Sequence, residues 1–98
     1  MTAEAKFDYV EYSHFARYFV ENVDNMNLLT HKAEKLLSEG KEVSTALENE
    51  IFRHKVIVNI LSQAGQERYG KTPTTIYQMG WLFEAMGDDE IEKIYGRK

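Results

Sequence analysis

Apolar residues recur at alternating spacings of three and four over a long stretch: Ala5, Tyr9, Tyr12, Ala16, Phe19, Val23, Met26, Thr30, Ala33 and Leu37, with Thr30 alone polar. Only an α-helix brings residues at that spacing onto one face, because 3.6 residues complete a turn. The spacing predicts a helix over about 4–39, roughly 50 Å long at about 1.5 Å per residue. The chain's single proline, Pro73, lies far from it, and so nothing in the stretch removes a backbone donor or clashes with a preceding turn. Asn22, Asn25 and Asn27 are weak helix formers and allow a bend or break near 24–28. Gly40 supplies a C-terminal stop.

The rest of the chain divides by similar signals. Thr45 with Glu48 three residues on has the form of a capping box, with Ser44 a rival cap one residue earlier. A second helix is expected over about 45–68, its seam formed by Leu47, Ile51, His54, Val58 and Leu61. Its end falls between Gly65 and Gly70. The short link Gly40–Ser44 would make the first two helices antiparallel neighbours. Thr72 and Pro73 read as cap and first residue of a third helix, about 73–86, whose inner face is Ile76, Met79 or Gly80, Phe83 and Met86. Gly87 ends it. Asp88 caps a last helix, about 89–95, with Ile91, Ile94 and Tyr95 turned inward and Gly96 as terminator. The glycines at 65, 70, 80 and 87 read as isolated stops, not as a phosphate cradle. The expectation is one all-α domain spanning 1–98: a long antiparallel helical hairpin capped by two shorter C-terminal helices. At 98 residues, two domains would leave neither half enough core.

The aromatic residues make the hairpin a problem of coverage. Six of the twelve lie between positions 7 and 19, namely Phe7, Tyr9, Tyr12, Phe15, Tyr18 and Phe19. On a helical wheel they and Ala16, Val20 and Val23 span an arc of roughly 220°, about twice the stripe that one packed side requires. The run from Val56 to Leu61 is apolar at every position except Asn59 and likewise demands cover on more than one side. Two short C-terminal helices can shield part of this. The remainder predicts a dimeric bundle of identical chains or a surface for a larger protein partner, with Tyr9, Tyr12, Phe15, Tyr18, Phe19, Tyr77 and Trp81 as its contact residues. Tyrosine suits such a surface because it buries a ring and keeps its hydroxyl wet.

Signals of chemistry are weaker. With no cysteine in the chain, disulfides, thiolate-held metals and thiol catalysis are excluded. Glu11 and His14 form an E-x-x-H pair and Glu50 and His54 an i,i+4 pair, spacings that carboxylate-bridged metal bundles use. His14, however, falls on the polar side beside Arg17 and Glu21, so no metal site and no cofactor is expected. His54, inside the second seam, reads as a core histidine bonded to a facing tyrosine or to Thr30, and His31 as exposed. A net charge of −4 disfavours nucleic acid, whose phosphates reward cations. A helix-turn-helix can still be drawn over 66–83, with Gly70 as the turn, Thr74, Thr75 and Gln78 toward bases, and Arg68 and Lys71 toward phosphates.

In layout alone, the order of a long helix, a second helix with basic residues, a glycine-containing turn and a third helix resembles the small helical chorismate mutases. That likeness would require Arg17, Lys41 and Arg53 to converge on a dicarboxylate, and the first helix lacks the second inward cation that family places in its seam. The N-terminus carries early acids and no apolar h-region, and no apolar run approaches the ~20 residues of a membrane span. A cytoplasmic location is therefore expected. The reading the residues favour is a non-catalytic helical interaction module, an adaptor, inhibitor or accessory subunit. It would self-associate through its aromatic first helix, with DNA-binding regulation as the alternative and a small enzyme behind it.

Overall fold

A computed structural model describes residues 8–95. Those residues form four helices and no strand: α1 (Tyr9–Ser38), α2 (Thr45–Tyr69), α3 (Pro73–Glu84) and α4 (Asp88–Tyr95). None is long and apolar enough to cross a membrane.

Each boundary has a chemical cause. Asp8, in extended conformation, accepts the free N–H groups of Val10 and Glu11 at 3.1 Å each and opens α1 at Tyr9. This corrects the expected start near residue 4. Phe7 and the rest of that first turn lie outside the described residues, as does Gly96. α1 then runs unbroken through Asn25. Asn22 is buried, and its side-chain amide donates to the Tyr18 carbonyl at 3.0 Å. The propensity cost of the asparagines, a few tenths of a kcal/mol each, is outweighed by the packing of their neighbours. Gly40, at φ 76°, ends the helix in the left-handed region that glycine enters without strain.

α2 is capped by Ser44, not Thr45. The Ser44 hydroxyl accepts the Leu47 N–H at 3.1 Å, which makes Thr45 the first helical residue and removes the predicted reciprocal bond with Glu48. Gly70, at φ 67°, closes α2. α3 opens as expected, with the Thr72 side chain accepting the Thr75 N–H and Pro73 at the first position.

The last turn of α2 lies beside the first turns of α1: Arg68 donates to Glu11 at 2.7 Å, and the Tyr69 ring sits 4.9 Å from Tyr12 and 5.3 Å from Phe15. The two helices therefore run in opposite directions. α3 crosses α1 at Gly80, so closely that an added Cβ would stand 2.6 Å from the Ala16 carbonyl oxygen. Gly65 plays the same part inside α2, facing Ile76 and Phe15. Neither is a stop, as the sequence suggested. Both are places where a missing side chain lets helices touch. α4 returns to the start of α1, where Tyr95 stacks on Tyr9 at 5.1 Å and meets Phe83 edge-on at 5.7 Å.

The result is a head and an arm. The core of Tyr12, Ala16, Phe19, Ile76, Phe83 and Ile91 sits where the first half of α1 meets α3 and α4. Beyond it, α1 and α2 continue as a two-helix arm in which Ala33 is the one buried residue among those described. The molecule measures 61 × 28 × 18 Å.

Candidate interaction surface

The seven residues expected to contact a partner separate into three groups. Tyr12 and Phe19 are buried in the head, so the chain's own C-terminal helices supply the cover that another chain was expected to bring. Tyr9 and Phe15 are half-buried, Tyr9 against Tyr95 and Tyr12, Phe15 against Tyr69 and Gly65. Tyr77 is half-buried too, and its hydroxyl donates to Asp24 at 2.6 Å. That hydrogen bond, more than burial, raises the Tyr77 hydroxyl's pKa above the ordinary 10.0. Burial does the same to Tyr12 and Tyr69. Only Tyr18 and Trp81 are exposed, at 51% and 55%. Trp81 lies beside exposed Leu28 in a shallow groove with Asp24, Asn27 and His31.

A second uncovered apolar surface lies on α2. Phe52, Val56 and Ile60 on α2 are 67%, 39% and 59% exposed. Four residues advance a helix by about 40° beyond a full turn, so the three form one inclined ridge centred on Val56. The seam that meets α1, marked by Gly65 and Val58, lies roughly opposite, about 180° away for Gly65 and about 160° for Val58. α2 is 25 residues long, and the one residue it buries is Gly65. The apolar run Val56–Leu61 is legible in the sequence, whereas Phe52 lies outside it. The i, i+4, i+8 row outside the seam was the available signal.

The polar candidates find partners of other kinds. His14 Nε2 lies 3.0 and 3.1 Å from the two Asp88 oxygens, and Arg17 donates to Asp88 at 3.1 Å. These hydrogen bonds, His14 first and Arg17 second, hold the Asp88 carboxyl below the usual 3.8. Asp88, read from the sequence as helix-terminal chemistry, in fact ties α4 to α1. Glu11 bonds Arg68, so the E-x-x-H pair points at two different partners, and among the described residues no three His, Asp or Glu side chains converge as metal ligands would. His54 has its Nδ1 buried and, among the described residues, without a hydrogen-bond partner. The expected bond to a tyrosine or to Thr30 is not made.

The cations of the mutase-like layout do not meet. Arg17 is on Asp88, Arg53 is exposed on α2, and Lys41 pairs with Glu39 beyond the far end of α1, more than 30 Å of helix from Arg17. For the helix-turn-helix, Arg68 is engaged by Glu11. Thr74 and Gln78 line a groove of about 480 Å³ with Phe19, Val23, Val58 and Ser62. The exposed side of α3 carries Trp81 and Leu82, apolar where phosphates would reward cations.

No protein-family model matches this chain, and no curated protein and no solved structure is similar to it.

Proposed function

We propose that this chain is a small helical interaction module that acts by contact, not by catalysis, and that two copies join as a dimeric bundle by covering each other's arms. One observation carries the reading: α2 exposes Phe52, Val56 and Ile60 on the side away from α1. A helix apolar on two opposite sides belongs inside something larger than a pair. The contact surface thus shifts from the aromatic first helix, most of which the head absorbs, to the arm.

Full burial of one such side chain stabilises by about 1.5–3 kcal/mol. Scaled by the exposures of Phe52, Val56 and Ile60 (67%, 39% and 59%) and counted for two copies, that gives about 8 kcal/mol. Association costs about 4–15 kcal/mol in lost freedom. Only at the low end of that cost does the balance favour association, by about 4–6 kcal/mol, which describes a weak, concentration-dependent dimer over about 0.05–1 mM. Net charge of −4 over the whole chain opposes it only weakly at physiological salt.

Light scattering across that range tests the reading. The parent should move from monomer to dimer mass with concentration. Phe52→Ser with Ile60→Ser should stay monomeric with unchanged helicity, since neither side chain belongs to the core. A parent that remains monomeric at about 1 mM would refute self-association.

A further inference from the structure

Resting on the reading above, we infer that the second copy binds across a local two-fold axis at Val56, with the two α2 helices antiparallel and Phe52 of each seated on Ile60 of the other. The chemistry of the ridge is palindromic. Reading outward from Val56, an apolar residue stands four positions away on each side (Phe52 and Ile60), and a side-chain amide seven positions away on each side (Asn49 and Gln63). A two-fold interface requires a surface complementary to itself, because every contact occurs twice with the partners exchanged. In this register, Val56 meets Val56, ring meets aliphatic chain, and amide meets amide, which can both donate and accept.

Other registers serve the same residues worse. In a parallel pairing Glu67 faces Glu67 and the two helix dipoles align unfavourably. A two-fold axis one half-turn earlier, level with His54, brings Arg53 beside Arg53. One half-turn later, the Phe52 ring sits over the Gln63 amide and gains no apolar partner. The ridge follows the i±4 row, whose mutual interdigitation crosses helices at about −50°. The contact then centres on Asn49–Gln63, a segment about 21 Å long, in the middle of α2 and clear of the 39–44 link.

The chain contains no cysteine, so single cysteines report the axis without background. A residue on a two-fold axis meets its own copy within disulfide reach, whereas Phe52 and its own copy are separated by about 12 Å along the helices. Val56→Cys should oxidise to a covalent dimer at least about tenfold faster than Leu28→Cys, an exposed position on α1, because the bound pair raises the effective thiol concentration. Phe52→Cys mixed with Ile60→Cys should give the mixed disulfide in preference to either homodimer. If light scattering shows a dimer yet Val56→Cys oxidises no faster than Leu28→Cys, or Phe52→Cys prefers its own copy, this axis is wrong while self-association stands. If the parent is monomeric throughout, the proposed function fails and the axis with it. Circular dichroism of each variant excludes loss of fold as the cause.

Discussion

Replacing Gly80 by alanine tests the close crossing of α3 over α1, because two physical effects give it opposite signs. Within an exposed helix the change stabilises by about 0.8–1 kcal/mol, since glycine loses more backbone freedom on folding. Here the new Cβ would stand 2.6 Å from the Ala16 carbonyl oxygen and 3.0 Å from its carbon, with a Val20 methyl closer still. A backbone oxygen cannot rotate away. α3 must retreat by about 0.5–1 Å, and a gap of that size forfeits a quarter to a half of each dispersion contact along the seam. Ile76 and Phe83, both fully buried on the same face of α3, share that loss. Overpacking costs about 1–3 kcal/mol, and a backbone clash belongs at the upper end. Net of propensity, Gly80→Ala should destabilise by about 2 kcal/mol, lowering Tm by about 8–16 °C for a domain of this size. Thermal unfolding followed at 222 nm, at one fixed protein concentration, measures it. Gly65→Ala should cost less, because the atoms it meets are the Ile76 Cδ1 and the Phe15 ring edge, which can turn aside. An unchanged or raised Tm for Gly80→Ala would refute the crossing.

Two further outcomes follow from the head. Phe83→Ala empties a fully buried site among Tyr12, Ile76, Ile91 and Tyr95 and should cost about 3–5 kcal/mol. A loss below about 1 kcal/mol in urea unfolding would mean that α3 and α4 do not cover α1 in solution. Asp88 titrates lower when folded than its usual 3.8, so its contribution is complete above that value and disappears as pH falls through the lowered folded value. Asp88→Asn should therefore melt below the parent at neutral pH, and the gap should narrow progressively as the pH is lowered below 3.8. A gap that is constant across this range would show that the contacts from His14 and Arg17 do not stabilise the fold.

Much of this architecture was legible as pattern, and its failures have a common cause. The seam from Tyr9 to Leu37 specified α1, and Thr72-Pro73 specified the start of α3, because spacing and capping act within a few residues. The asparagines near position 25 suggested a break that did not occur, because tertiary packing outweighs small propensity costs. Gly65 and Gly80 resembled stops because their use, close contact with Phe15, Ile76 and Ala16, depends on residues distant in the chain. The aromatic segment 9–19 announced an excess of apolar surface correctly but not its destination. Tyr12 and Phe19 needed partners, and Phe83, Ile91 and Tyr95 turned out to be near enough to serve.

By itself the sequence determined that this chain is helical, where its turns fall and that its apolar residues exceed what two helices can share. Those properties arise from local backbone sterics and from periodicity, which neighbouring residues encode. Only the tertiary structure decided which apolar face is satisfied. α3 and α4 are too short to cover the full length of α1 and α2, and they fold over the end to which the chain returns them. The aromatic first turns of α1 thus become core, and Phe52, Val56 and Ile60 on the far side of α2 are left uncovered by the chain itself.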